Sequence, residues 1–325
     1  MRNAICTLLS LLKRDERAVV NIYQTFMSYV RILTRTNMIN FGFWTQETTS
    51  IKQAQQALCA LTGNLAELST AKNLLDIGSG LSGPAELWNL EYKSINRLIC
   101  VDVNYQALKT PRTVESSEVM MEPSIGADVT NKKYLGKYDS VVLSRVNATA
   151  TCLPFSDSFT DRIIALESAQ HFKTFLEFIR ESHRVLKKTG LMVLAIPVIT
   201  SPKSKGMPRI KILNSLRNLR VLGILSLTWA SEHYEFDKIQ SYISHEHFVI
   251  NEILRIGKSV YIPLTDFYIQ DRRKFRKNVL DKNNSILKKI ALDIAERIVY
   301  RSALKMKQLS LSGDIDYVLI KATKK

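Results

Sequence analysis

A doubly wound α/β fold is what this sequence predicts, and two observations predict it. From Asn73 onward short apolar runs alternate with helical stretches, the pattern of βαβ units that build a parallel sheet with helices on both faces. The first of those runs, Leu74-Leu75-Asp76-Ile77, passes directly into a glycine loop, Gly78-Ser79-Gly80-Leu81-Ser82-Gly83. Buried parallel strands that end in such loops are the usual ligand edge of this architecture.

Five parallel strands are expected at Asn73–Gly78, Arg97–Val103, Ser140–Val146, Arg162–Glu167 and Leu191–Pro197. Phe248–Ile256 and Ile315–Ala322 are expected to add a terminal antiparallel pair, giving a Rossmann-like seven-stranded sheet. Residues 1–70 read as a helical N-terminal cover. Ile22, Phe26, Tyr29, Val30 and Leu33 recur at helical spacing, Asn40–Trp44 interrupts them as an aromatic turn, and Ile51–Leu61 resumes a helix that ends near Gly63-Asn64. Residues 71–325 then form one domain with insertions at about 105–138, 201–245 and 258–312.

The chain's 46 Lys and Arg against 30 Asp and Glu give a net charge of +16. That admits nucleic acid, anionic membrane or acidic substrates as partners, and equally a basic solvated surface. A 46% hydrophobic fraction supports a sizeable core. Cys6, Cys59, Cys100 and Cys152 stand far apart without metal-ligand spacing, and read as buried thiols of a reducing compartment. No metal is expected. His245 and His247 alternate but lack a third ligand. No run reaches the length of a membrane span. Ala4–Leu12 follows Arg2 as in a signal peptide, yet the charged run Lys13–Arg17 offers no cleavage site. A cytoplasmic protein is expected, with peripheral membrane contact left open.

The chemistry is carried by the glycine loop and two acids. Glycines allow a tight turn and close approach of a ligand, and Pro84 suits the first position of the following helix. The second strand ends in Asp102, placed to accept hydrogen bonds from a ribose. Gly78, Gly80 and Gly83 also satisfy the dinucleotide fingerprint, so an NAD-dependent oxidoreductase is a rival. Asp76 opposes it. A carboxylate at the mouth of the loop repels a pyrophosphate and attracts the ammonium and sulfonium of S-adenosylmethionine.

Asp76-Ile-Gly-Ser-Gly80 resembles the first motif of class I S-adenosylmethionine-dependent methyltransferases. Leu153–Asp161, Ala165–Phe172 and Glu181–Gly190 are similar, in order, to three further motifs of their small-molecule branch, which includes tocopherol, sterol and sugar O-methyltransferases. Asn40–Trp44 is similar to that branch's Asn-x-Gly-Tyr-Trp segment. The resemblance implies methyl transfer to a small acceptor, most often at oxygen. It implies cofactor contacts from Asp76, Gly78, Ser79, Gly80, Asp102 and Val103, with Thr149 and Ala150 flanking adenine. Thr149 stands where the family carries an acid, and Asn147 is a substitute on a shifted register.

His171 follows the fourth strand, where ligands bind, and is the expected general base; a structural histidine capping the next helix is the alternative. Glu167, at the same strand end, is expected to hold the cofactor or the loop, or to be a surface acid. Phe41, Phe43 and Trp44 are expected to line or close the substrate site, or else to be core. The basic amphipathic run Arg209–Trp229 fits a lid over an apolar acceptor, a membrane contact, or a helix packed on the sheet. An RNA methyltransferase and a non-catalytic binding protein remain as further rivals.

Overall fold

Leu74, Leu75 and Ile77 are each 1% exposed and Asp76 is 2% exposed. Strand β1 (Asn73–Ile77) is therefore covered on both faces, as expected of a central parallel strand. The computed structural model describes residues 36–109, 142–200, 235–281 and 286–325. The predicted helix around Ile22–Leu33 and the amphipathic run Arg209–Trp229 lie outside them, as does most of the 105–138 insertion.

Around β1 stand β2 (Arg97–Asp102), β3 (Val142–Asn147), β4 (Thr160–Leu166), β5 (Leu186–Ile199), β6 (Phe248–Arg255) and β7 (Ile315–Lys324). The sheet order is β3-β2-β1-β4-β5-β7-β6. β1 to β5 pair in parallel, and β7 runs antiparallel between β5 and β6. The predicted seven-stranded architecture is thus present. The chain winds outward from β1 to β3, then returns to lay β4 on the other side of β1. That reversal leaves a crevice at the carboxyl ends of β1 and β4, where open α/β sheets bind ligands.

Strand alternation sorts the core into two layers. Leu74, Leu98, Cys100, Ile164 and Val193 face one cluster with Leu58 of helix α1 (Ile51–Leu65) and Trp88 of α2 (Gly83–Glu91). Leu75, Ile77, Ile99, Ile163 and Met192 face the other, with Phe178 of α4 (Phe175–Val185) and Ile239 of α5 (Phe236–His245). A short helix α3 (Tyr105–Leu108) follows β2. Two long helices, α6 (Gly257–Asp281) and α7 (Ile286–Ser312), fill the predicted 258–312 insertion. They are joined by Thr265 Oγ1 donating to the Ala303 carbonyl and by Arg272 paired with Glu296.

Some details differ from expectation. α1 continues through Gly63 to Leu65; a side chain at Gly63 would meet the Tyr92 hydroxyl at 2.8 Å, so this glycine serves packing rather than termination. β5 begins at Leu186, since Leu186 already pairs with Thr160 before a register shift. Cys152 is exposed, unlike buried Cys59 and Cys100. Among the described residues no helix is long and apolar enough to cross a membrane.

Candidate active site

The carboxyl ends of β1, β2 and β4 are laced together by hydrogen bonds. Gly78 and Ser79 both donate to the Val101 carbonyl, at 2.7 and 3.1 Å. Ser168 Oγ donates to the Ile77 carbonyl at 2.6 Å. Gly78 has φ +72°, and a Cβ on it would stand 2.3 Å from Ser168 Cβ, so both conformation and space demand glycine. Gly80, at φ +54°, donates its N–H to Asp102 Oδ2 at 2.8 Å. Asp102 Oδ1 accepts the Asn104 N–H at 2.7 Å. The acid after β2 therefore shapes the glycine loop as well as facing its own crevice.

Buried polar atoms gather at this edge. Asp76 Oδ2 finds no hydrogen-bond partner among the described residues. Burial, and next the charge of Asp102, push the Asp76 carboxyl up to about 8. Asp102 is raised too, mainly by burial, against the pull of its two N–H donors. Asn37 Oδ1, Gln170 Oε1 and Asn104 Nδ2 are also buried without partners among the described residues. Native proteins rarely leave such groups unpaired unless something completes them. Three acceptors, one of them a carboxylate, suit a ligand that brings donors and positive charge.

Residues 36–44 cross this edge as a strap. The backbone of Asn37 lies against the start of α2, 2.6 Å from where a Gly83 Cβ would be. Ile39 packs on Leu81 and Ala107. Gln55 Nε2 donates to the carbonyls of Met38 and Asn40. Phe41 N–H donates to Glu167 Oε1 at 2.8 Å, Phe43 N–H to the Ala54 carbonyl, and Trp44 N–H to the Ser259 carbonyl. Phe41 meets Tyr261 edge to face, and Trp44, 8% exposed, packs on Phe267. The three predicted aromatics are thus pinned along α1 and α6, with Phe41 and Phe43 partly buried against the core.

Glu167, beyond the end of β4, has φ +51°. Its carboxylate is occupied by Phe41 N–H and by the Tyr317 hydroxyl at 3.0 Å. Burial raises it to about 8, against both donors. His171 ends the short 3₁₀ turn Ala169–His171 and is partly buried, one turn from Glu167. Thr149 and Ala150 follow β3; Thr149 Oγ1 lies 3.1 Å from Thr151 Oγ1, and Ala150 is buried in the core. Asn147 Nδ2 donates to the carbonyls of Asp102 and Val103 at 2.8 and 3.0 Å, joining the β3 exit to the end of β2. Val103 is 42% exposed.

Asp76, Gly78, Ser79, Gly80 and Asp102 come together at one crevice, with Glu167 and His171 at the adjacent strand end. Asn37, Asn104, Gln170 and Tyr317 were not singled out from sequence. Gln170 lies inside the motif around the fourth strand and was legible there; Tyr317 is 150 residues from Glu167 and carried no local sign.

The motifs outside the crevice have structural roles. Arg184 of α4 donates to the carbonyls of Leu153 and Phe155 and to Glu181 and Asp157. Glu181 in turn accepts the Leu153 N–H at 2.7 Å. Asp161 caps the entry to β1 by accepting from the N–H groups of Lys72 and Asn73. Among the described residues no group of three His, Cys, Asp or Glu could hold a metal ion.

The fold, its winding and the glycine-acid crevice are similar to those of S-adenosylmethionine-dependent methyltransferases. Residues 75–194 match the family model described as a methyltransferase domain. Erythromycin 3''-O-methyltransferase of Saccharopolyspora erythraea is 27% identical over 58% of this chain and 56% of its own length. The chain thus spans about half the length of the curated relatives it matches. Among solved structures, the cyclopropane synthase MmaA2 from Mycobacterium tuberculosis shares the fold with a TM-score of 0.67 at 13% identity, covering 96% of this chain and 99% of that one. The mycolic acid cyclopropane synthase CmaA1, complexed with SAH and CTAB, does so with a TM-score of 0.66 at 15% identity, covering 91% and 94%.

Proposed function

We propose that this protein transfers a methyl group from S-adenosylmethionine to a small, apolar acceptor, at oxygen. The observation that carries the reading is the buried Asp76 carboxyl, whose Oδ2 is unpartnered among the described residues at the mouth of a loop shaped by Gly78 and Gly80. Burial keeps this group protonated, and an ammonium placed beside it would favour the ionised form. S-adenosylmethionine carries an ammonium and supplies a methyl activated by a sulfonium. The pyrophosphate of NAD would bring negative charge to two acids already raised by burial. A small acceptor methylated at oxygen is supported by the erythromycin O-methyltransferase relative. Its apolar character is supported by Phe41 and Phe43, the partly buried aromatics of the strap that crosses the crevice edge.

In this reading Asp76 holds the ammonium and Asp102 the ribose hydroxyls, with the glycine loop admitting the backbone close to the ligand. Thr149 and Ala150 flank adenine, and Val103 lends an exposed apolar edge beside Asp102. The strap aromatics wall the crevice against water, which would otherwise compete with the acceptor. Alignment of acceptor and methyl provides most of the rate, about 7–11 kcal/mol in well-oriented systems. His171 takes the acceptor proton, a contribution of about 10²–10⁴-fold. The test is transfer of labelled methyl from S-adenosylmethionine to a panel of apolar hydroxyl compounds. His171→Ala is expected to lose at least ~100-fold in turnover while binding S-adenosylhomocysteine as the wild type does. Full turnover in that variant would remove His171 from the role of base.

A further inference from the structure

We propose that Glu167 is a positioning residue that latches the 36–44 strap across the crevice. One carboxylate oxygen gathers two donors from distant parts of the chain, the Phe41 N–H at 2.8 Å and the Tyr317 hydroxyl at 3.0 Å. These donors lie 126 and 150 residues away, so Glu167 joins the N-terminal strap, the end of β4 and the last strand at one atom.

The backbone at Glu167 is built for this task. It adopts φ +51°, a region that non-glycine residues enter at a cost. It is held there because its N–H donates to the Ala195 carbonyl at 2.8 Å and its carbonyl accepts Gln170 Nε2 at 2.6 Å. Tyr317 is fully buried, and burial and the Glu167 charge keep its hydroxyl protonated and donating. Tyr261 braces both ends: its ring meets Phe41 at 6.1 Å and Tyr317 at 6.2 Å, and its hydroxyl donates to the Asp316 carbonyl.

Both donors converge on Oε1, which ties that oxygen to the strap and the last strand. The strap it fixes carries Asn37, whose side-chain oxygen is among the unpartnered acceptors of the crevice. The effect on the methyl donor's pocket rests on the methyltransferase reading; the latch itself does not.

The test is hydrogen exchange of peptides spanning 36–44 in the full chain, with S-adenosylhomocysteine affinity measured beside it. Glu167→Ala is expected to speed strap exchange at least tenfold while peptides from β1 and β4 keep their protection, and to weaken S-adenosylhomocysteine binding at least tenfold. Glu167→Gln keeps a carbonyl oxygen for both donors and is expected to restore both within about threefold. Tyr317→Phe keeps the packing, removes one donor, and is expected to speed strap exchange about threefold; it decides the matter if Glu167→Ala does not fold. Unchanged strap exchange in the folded variants would overturn the latch. So would a Glu167→Gln protein that binds as poorly as Glu167→Ala, since the charge itself would then be what the ligand needs. If the wild type binds no S-adenosylhomocysteine, the methyltransferase reading fails while the exchange measurements still decide the latch.

Discussion

The two edges of this sheet differ in what their charged side chains do. At the amino edge they are spent on the protein. Asp161 caps the entry of β1, Arg162 reaches the Ala66 carbonyl, Arg184 binds two carbonyls and two carboxylates, and Lys324 donates to the carbonyls of His183 and Leu186. At the carboxyl edge the Asp76 carboxyl buries an oxygen with no partner among the described residues, with Asn37, Gln170 and Asn104 beside it; at the amino edge the unpartnered buried atoms are the neutral Ser182 Oγ and His183 Nε2. Hydrogen-bonded networks stabilise a fold, whereas unpaired buried groups cost about 1–3 kcal/mol each. The difference lies in charge: the acids and cations of the amino edge are paired within the protein, whereas the carboxyl edge keeps a buried carboxyl open to something else.

The comparison breaks most visibly at Gly78. Gly78→Ala forces a side chain into a left-handed residue and against Ser168. Backbone strain and overpacking each cost about 1–3 kcal/mol. Thermal denaturation is expected to show a drop of roughly 10 °C, and S-adenosylhomocysteine binding is expected to disappear in a calorimeter. A small change in both would mean that the carboxyl edge is looser than its contacts indicate.

Arg184→Ala probes the other edge. It strips two carbonyls of a donor and leaves Glu181 with only the Leu153 N–H among these contacts. A loss of about 2 kcal/mol in chemical denaturation is expected, with S-adenosylhomocysteine affinity within about twofold of wild type. A large loss of affinity without loss of stability would reverse the assignment of the two edges.

Asp76→Asn gives the finest discrimination, because stability and binding should move in opposite directions. A carboxyl raised to about 8 keeps in the folded state a proton that the unfolded chain releases above about 4. Wild-type stability therefore falls as pH rises from about 4 to 8. The variant loses that contribution and is expected to be the more stable protein at pH 8, by a few degrees in Tm, and similar at pH 4. Some slope remains, since Glu167 is raised to about 8 as well. Binding runs the other way. An ammonium favours ionised Asp76, so wild-type affinity for S-adenosylhomocysteine should tighten by up to about tenfold per unit between pH 6 and 8. In Asp76→Asn it should be about 10–100-fold weaker and nearly flat.

Much of the carboxyl edge was legible in the sequence, because its pieces are local. The run Asp76–Gly80 is a strand and a turn in consecutive residues, and Asp102 ends the next apolar run. The sheet was legible for the same reason: each strand shows its own apolar pattern. What could not be read were contacts set by topology. Tyr317 meets Glu167 because β7 inserts antiparallel beside β5, and Asn37 lies against α2 in a strap that Gln55 holds by the Met38 and Asn40 carbonyls. Glu167 was visible as an acid at a strand end, but nothing local showed that its carboxylate is engaged by Phe41 and Tyr317.

The most direct measurement is calorimetric titration of the wild-type chain with S-adenosylhomocysteine and, separately, with NAD, with Asp102→Ala as the control. Micromolar binding of the former, no binding of the latter and loss in the variant are expected from a crevice whose acids await a cationic ligand. Binding of NAD instead, or of neither, would contradict the claim that the unpaired groups of the carboxyl edge are completed by a methyl donor.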